Sequence, residues 1–377
     1  MRTIDARSPK RSDDDYLGVA LALAGRGLGN VWPNPAVGCV LVRPGRGGIG
    51  DLIAGRGWTQ PGGRPHAETM ALEQAGPRAK GATAYVSLEP CAHHGETPPC
   101  AEALIAAEIA RVVVAAPDPD SRVNGRGAEM LRAAGVRVDW VDQTAGELLN
   151  AGYLSKVRQG RPLVTLKLAS TLDGRIALGN GQSQWITGPQ ARARGHLLRA
   201  EHDAILIGIG TALADDPELT CRLPGMMGQS PVRVVLDSQL RLPRASRLAR
   251  SAKNYPLWLI AGRGRKNNAM DKLGVEILSA PLDGRGRINL RAALMALAER
   301  GITRLLVEGG SAVTTAFLAA GLVDHLAWFR APGLIGREGL AVVGELGVTD
   351  LASMPRFQSQ GIEILGDDVL ESYVHQA

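Results

Sequence analysis

Pro65-His66-Ala67-Glu68 and, after a short gap, Pro90-Cys91-Ala92-His93-His94-Gly95-Glu96-Thr97-Pro98-Pro99-Cys100 form a split cluster. One imidazole and two thiolates supply three soft ligands, a set that suits tetrahedral Zn²⁺ with one position left open. A structural zinc normally closes that position with a fourth protein ligand. An open position holds water, and a carboxylate two residues from His66 is placed to move that water's protons. An H-x-E stretch followed by P-C is the arrangement of zinc-dependent hydrolysis of an amino group on a heterocycle.

The local pattern supports convergence of these residues. Pro65 reads as a helix start, carried on by Ala67, Met70, Ala71 and Leu72. His66 and Glu68 then fall in the first turn, where free N–H groups and the helix dipole favour anionic ligands. The run Ala84-Tyr85-Val86-Ser87-Leu88 reads as a buried strand delivering Cys91 just past its end. Cys100 opens a further helix through Ala101, Glu102, Ala103, Leu104 and Ile105. The bland reading makes Cys91 and Cys100 merely buried thiols, or the metal a loop staple; it leaves unexplained why H-x-E and P-C-x8-C occur together in this order. The cysteines stand wider apart than the C-x-x-C of nucleobase deaminases, which points to an enlarged loop.

Composition narrows the class. At 377 residues the chain suggests two or three domains, and 45% hydrophobic with 21% charged residues describes an ordinary soluble protein. Three Phe and five Tyr make stacking platforms for single-stranded nucleic acid scarce. A net charge of +6 fits small anionic substrates as well as polynucleotide, and the excess arginine is scattered rather than clustered. Four cysteines, two of them in the metal motif, give no disulfide framework and point to a reducing cytoplasm. Leu17–Gly25 imitates a signal-peptide core, but Asp13, Asp14 and Asp15 precede it where positive charge belongs, so they read as N-cap and first-turn acids. No stretch is long enough to span a bilayer.

Residues 1–12 read as a disordered tail. From 13 to about 142, helices at 15–25, 65–75, 100–107 and 127–134 alternate with strands near 37–43, 50–55, 83–88, 111–116 and 136–140, arguing for a layered α/β domain. A helical stretch from about 144 to 157 leads to a junction at Gln159-Gly160-Arg161-Pro162. A second α/β domain, 159–377, carries strands at 164–169, 204–208, 232–236, 257–260 and 304–308. Gly45–Gly50 matches G-x-G-x-x-G, but a strand-like run follows it where the dinucleotide fingerprint needs a helix, so it reads as a hairpin turn.

Taken together, the chain resembles the RibD family, the bifunctional pyrimidine deaminase/reductases of riboflavin biosynthesis. The resemblance runs from about residue 15 to the C-terminus. It rests on Asn34–Gly38, His66–Glu68, Pro90–Cys100 and Asp118-Pro119 in the first half. In the second it rests on Lys167–Gly174, Ser183–Gly188, Gly208–Thr211, Asp215–Arg222 and Glu308–Gly310. It implies a cytidine-deaminase-like three-layer α/β/α domain over 13–158, then a dihydrofolate-reductase-like α/β domain that uses NADPH. It implies zinc on His66, Cys91 and Cys100, one ion per chain, with Glu68 passing protons to the leaving ammonia. Asn34 resembles a pyrimidine contact and His93 a neighbour of the substrate phosphate. In the second domain Lys167, Asp215 and Glu308 line the implied reaction centre. Arg199 and Arg222, with Ser183, resemble phosphate clamps, and Leu219 a further substrate contact. Ala169, Trp185, Thr187, Thr211, Asp215 and the Gly309-Gly310-Ser311 turn resemble NADPH contacts. The implied partners are phosphoribosyl pyrimidines and a second or further copies of the chain, in a homodimer or homotetramer, with no nucleic acid and no membrane.

Three residues depart from the family pattern. Relatives commonly carry His at Thr59, Lys or Arg at Glu96, and Asn at Asp120. Replacing a cation beside a phosphate costs about 1–3 kcal/mol when the groups approach closely, unless Arg64, Arg122 or Arg126 compensates. The departures raise a second reading, an active reductase fused to a weak deaminase. A third, a basic zinc protein that binds or edits RNA, is disfavoured by the scarce aromatics and by the second half.

Overall fold

The computed structural model describes residues 11–45, 51–95, 97–141 and 143–376. It divides into two compact units that meet in sequence at Arg158 and Gln159.

The first unit runs α1 (Asp13–Gly25), β1 (Gly38–Arg43), β2 (Leu52–Trp58), α2 (Ala67–Ala75), β3 (Thr83–Val86), α3 (Cys100–Ala106), β4 (Arg111–Val114), α4 (Arg126–Ala133), β5 (Arg137–Trp140), α5 (Gln143–Leu149) and α6 (Ala151–Gln159). Its sheet has the order β2-β1-β3-β4-β5, with β1 antiparallel to both neighbours and β3, β4 and β5 parallel. Side chains alternate across the strands. Cys39, Leu41 and Val86 therefore join Ala67, Ala71, Leu104 and Leu131 on one face. Val40, Val42 and Tyr85 join Tyr16, Leu17 and Ala20 of α1 on the other. The result is the three-layer α/β/α arrangement. Close seating of α2 depends on Gly57, where a Cβ would stand 2.3 Å from the carbonyl oxygen of Ala67.

Several boundaries differ from the sequence expectation. The cap of α1 is Ser12, one residue before the acids: its hydroxyl accepts from the Asp15 N–H and its own N–H donates to the Asp15 carboxylate. Ser12 thus belongs to the helix and not to a tail; residues 1–10 lie outside the described residues. Helix α2 begins at Ala67 and not Pro65, because His66 has extended backbone and serves as its N-cap. The helical stretch expected over about 144–157 comprises α5 and α6, parted at Asn150, whose side-chain oxygen accepts from the Ala36 N–H at 3.0 Å. The Gly45–Gly50 turn falls mostly outside the described residues, but its flanking strands β1 and β2 do pair antiparallel.

The second unit contains β6 (Leu163–Thr171), β7 (Arg175–Ala177), α7 (Pro189–Ala200), β8 (Ala204–Gly208), α8 (Ile209–Asp215), β9 (Val232–Leu236), α9 (Arg247–Arg250), β10 (Leu257–Gly262), α10 (Asn268–Asp271), β11 (Val275–Ala280), α11 (Leu290–Glu299), β12 (Arg304–Val307), α12 (Ser311–Ala319), β13 (His325–Ala331), β14 (Leu340–Ala341), β15 (Phe357–Leu365) and β16 (Asp368–His375). A nine-stranded sheet has the order β11-β10-β9-β8-β12-β6-β13-β16-β15. The first seven strands in that order are parallel, and β16 is antiparallel to β13 and β15. From β8 the chain builds outward to β11, then returns to insert β12 between β8 and β6. Such a reversal leaves a crevice at the carboxyl ends of the strands, where ligands bind in open α/β sheets.

Candidate functional site

Three element ends meet in the first unit. His66 caps α2, Cys91 lies five residues beyond β3, and Cys100 is the first residue of α3. Their ligand atoms all lie within 4.8 Å of one another, the one such His/Cys/Asp/Glu group among the described residues. His66 Nδ1 stands 3.2 Å from Cys100 Sγ and 3.6 Å from Cys91 Sγ. Around a tetrahedral zinc bonded at about 2.1 Å to nitrogen and 2.3 Å to sulfur, such donors stand about 3.5 Å apart. The donor set and its spacing therefore fit zinc.

The electrostatics match. A hydrogen bond from Cys100, opposed by burial and aided by His66, holds the Cys91 thiol down at about 4. The Cys100 backbone N–H also donates to Cys91 Sγ at 3.2 Å. Glu68 is only 3% exposed. Burial first, then the Cys91 thiolate, push its carboxyl up to about 7 in the metal-free cluster. A cation among the thiolates would draw that value back down.

Two further residues hold the Cys91 loop, and the sequence reading missed both. Glu89 is buried, and its carboxylate accepts from the backbone N–H groups of Gly125 at 3.0 Å and Ala128 at 3.2 Å, at the start of α4. At Gly127 a Cβ would lie 2.0 Å from the Pro90 carbonyl oxygen, so only glycine lets α4 approach the segment entering Cys91. The available signal was an acid directly before Pro-Cys together with a Gly-x-Gly before a helix.

Asn34 abuts Gly63, three residues before His66. The Nδ1 of His93 is buried and has no partner among the described residues. Thr59 is buried, and its hydroxyl accepts from the Val37 N–H at 3.0 Å, a structural task. Asp120 is paired with Arg122 at 2.6 Å, which commits the one to the other. Arg64 reaches the hydroxyl of Thr97 at 2.7 Å. Glu96 lies outside the described residues.

In the second unit a cleft of about 1550 Å³ opens at the carboxyl ends of β6, β8 and β12. Lys167, Ala169, Ser183, Arg199, Thr211, Asp215, Leu219, Glu308, Gly309, Gly310 and Ser311 all line it. Gly310 N–H donates to the Thr211 hydroxyl at 3.3 Å and ties the two turns together. Gly310 also caps α12, whose first N–H groups are free for an anion. Glycine turns, a hydroxyl and a helix start in one cleft fit a dinucleotide diphosphate.

Four further expected residues have local contacts of their own. Arg199 lines the cleft beside Glu308. Its Nε and Nη2 donate to Glu308 at 2.8 and 2.9 Å, and Nη1 donates to the Thr220 carbonyl at 3.1 Å. Arg222 does not line the cleft: it is exposed and pairs with Glu218 at 3.4 Å. Trp185 and Thr187 also stand outside the lining. Trp185 is 67% exposed beneath the Arg192 guanidinium, and Arg192 also holds the Thr187 carbonyl. Within the cleft Lys167 Nζ lies 3.9 Å from Glu308. Burial lowers the basicity of Lys167 and Glu308 restores part of it. Burial alone would raise Glu308, yet Arg199 and Lys167 hold it down at about 2.

Comparison with known proteins agrees with both halves. Residues 10–116 match the cytidine and deoxycytidylate deaminase zinc-binding region, and residues 162–370 match the RibD C-terminal domain. The riboflavin biosynthesis protein RibD of Escherichia coli is 42% identical over 95% of this chain and 98% of its own length. That of Aquifex aeolicus is 40% identical over 95% and 97%. The solved structure of Acinetobacter baumannii RibD superposes with a TM-score of 0.87 at 36% identity, covering 97% of this chain and 99% of its own. A Thermotoga maritima structure, titled a diaminohydroxyphosphoribosylaminopyrimidine deaminase/5-amino-6-(5-phosphoribosylamino)uracil reductase, gives 0.83 at 35%, covering 97% and 99%. The chain belongs to the RibD family, as a bifunctional enzyme of riboflavin biosynthesis with a zinc-dependent deaminase domain followed by an NADPH-dependent reductase domain.

Proposed function

We propose that this chain hydrolyses the 2-amino group of 2,5-diamino-6-(5-phosphoribosylamino)pyrimidin-4(3H)-one, then reduces the ribosyl group of the product to ribityl. The observation that carries this is the convergence of His66, Cys91 and Cys100 within 4.8 Å beside the buried Glu68. Zinc bound by those three residues supplies Lewis acidity at its open position and lowers the pKa of water there. Glu68, buried beside those ligands, would take a proton from the attacking water and return one to the departing ammonia. Asn34 holds the pyrimidine and His93 turns toward the phosphoribosyl end.

In the second unit, ring opening of the ribosyl group gives a C1′=N imine, and reduction adds a hydride at C1′ and a proton at the nitrogen. NADPH bound along the Thr211 and Gly309–Ser311 turns supplies the hydride. Lys167 supplies the proton, and Glu308 keeps it charged despite burial. Arg199 orients Glu308, while Ser183, Leu219 and Asp215 shape the substrate end of the cleft. Ala169 flanks the nicotinamide.

No observation favours the weak-deaminase reading. Thr59 and Asp120 have structural partners. We further take the enzyme to be cytoplasmic; no helix among the described residues is long and apolar enough to cross a membrane. We also take it to form a homodimer or homotetramer through the reductase unit, where the sheet-edge strand β15 exposes Ile362 and Ile364 by 67% and 70%. Light scattering tests the assembly.

The activity test uses zinc-loaded enzyme with the pyrimidinone. Ammonia release should vanish on chelation and fall at least a thousandfold in Glu68→Gln at unchanged zinc content, a loss in line with about 4 kcal/mol of transition-state stabilisation. Supplying predeaminated substrate should restore NADPH oxidation in that variant. Ammonia release that survives Glu68→Gln would refute the assignment.

A further inference from the structure

Helices α5 and α6 lead in sequence to the reductase and fall between the two matched regions, after residue 116 and before 162. They nonetheless reach back to the deaminase site. At Gly146 of α5 a Cβ would stand 2.9 Å from the Ser87 carbonyl oxygen and 2.8 Å from Ala116 Cβ, so α5 seats against the chain leaving β3 and β4. Where α5 and α6 part stands Asn150, which is buried.

Asn150 Oδ1 accepts from the N–H of Ala36, 114 residues earlier, at 3.0 Å. Ala36 is buried, and its N–H has no other acceptor among the described residues. The next two N–H groups are held in the same manner: Val37 donates to the Thr59 hydroxyl and Gly38 to the Ser87 hydroxyl, both at 3.0 Å. Three consecutive donors thus meet three buried side chains from three separate parts of the chain. Thr59 and Ser87 also donate their own N–H groups to the Val37 and Gly38 carbonyls, at 2.9 and 3.0 Å. Those two contacts therefore survive as backbone pairs when the side chain is removed. Ala36 has no such second tie, because the Asn150 backbone bonds to Gly146 and Leu154.

What the Ala36 end controls is Asn34, two residues earlier. The Asn34 amide lies on the backbone of Gly63, where a Cβ would come within 1.8 Å of its Nδ2, and Gly63 is three residues before His66. Pro35 lies between and has no N–H to anchor. Without the Asn150 oxygen, a buried N–H at Ala36 loses its partner, and the segment must shift to satisfy it. Asn34 moves with the segment. Stability alone does not account for an amide here, since Asn150 Nδ2 is buried with no partner among the described residues, a cost that an apolar side chain avoids.

We propose that Asn150 is a positioning residue for deamination that acts through Asn34. The proposal rests on the deaminase reading above, in which Asn34 holds the pyrimidine. A misplacement of about 1 Å in an orienting group can cost roughly a hundredfold in rate. In the zinc-loaded full chain, Asn150→Ala should lower kcat/KM for ammonia release at least tenfold at unchanged zinc content. NADPH oxidation from predeaminated substrate should stay within twofold of wild type. Asn150→Asp keeps an acceptor for the Ala36 N–H and should stay within threefold of wild type in ammonia release. In an Asn34→Ala background, adding Asn150→Ala should cost less than a further twofold, because the residue through which it acts is already gone. Undiminished ammonia release overturns the proposal, as does a loss that tracks lost zinc. So does a full tenfold loss repeated in the Asn34→Ala background, or Asn150→Asp as impaired as Asn150→Ala. Wild type that releases no ammonia would sink the deaminase reading instead. Hydrogen exchange of the peptide covering Asn34–Gly38 would then decide the positioning, at least tenfold faster in Asn150→Ala if Asn150 holds the segment and unchanged if it does not.

Discussion

Replacing Glu308 by Gln should open the reductase cleft from within. Glu308 is the single acid that meets both Arg199 and Lys167, at 2.8 and 3.9 Å, and its side chain is 12% exposed. The amide keeps the shape but removes the charge, and it turns one donor toward cations that can only donate. The size follows from the proton equilibrium. The carboxyl is held at about 2 against an ordinary 4.5, and at about 1.4 kcal/mol per pH unit this favours the charged form by roughly 3 kcal/mol. Breaking one partner out of a buried ion pair costs about 3–5 kcal/mol, in agreement. Because the folded-state value is depressed, this stabilisation is complete above about pH 4.5 and fades as pH falls toward 2. Hydrogen exchange at neutral pH, resolved to peptides of β6, β12 and α7, is the assay. A loss of about 3 kcal/mol should speed their exchange by roughly a hundredfold, while peptides of α2 and α3 stay unchanged. Acceleration below about fivefold would mean solvent already compensates the pair, and the argument from burial would fail.

Two further predictions concern the deaminase unit. Gly127→Ala drives a Cβ to 2.0 Å from the Pro90 carbonyl oxygen; it should cost about 1–3 kcal/mol and lower zinc content, as read by thermal unfolding and metal analysis. Asp118 is buried beside Tyr153 and pushed up to about 6 chiefly by burial, so its charged form is disfavoured in the folded unit. The raised value means that stability is present below about pH 4 and falls as pH rises through 6. Asp118→Asn should therefore raise the unfolding temperature at pH 8 and lose that advantage at pH 4, whereas an equal gain at both pH values would exclude ionisation as the cause.

The two sites differ in how much of them the sequence discloses, and the reason is the distance over which each is built. Every zinc-cluster residue sits at an element end that announces itself locally: His66 beside Pro65, Cys91 after a buried strand, Cys100 at a helix start. Short signals of this kind survive being read in isolation. Arg199 does not announce its partner. Glu308 is 109 residues away and reaches Arg199 only because β12 inserts between β8 and β6. Read alone, each is a charged residue near a motif, and a phosphate is the natural partner to assign to an arginine. Once the strand order is known, Glu308 stands beside Arg199 as its partner. The β15–β16 hairpin escaped notice for a related reason: β15 is almost wholly exposed and carries a register shift at Ser359/Gly361, so no apolar alternation marks it.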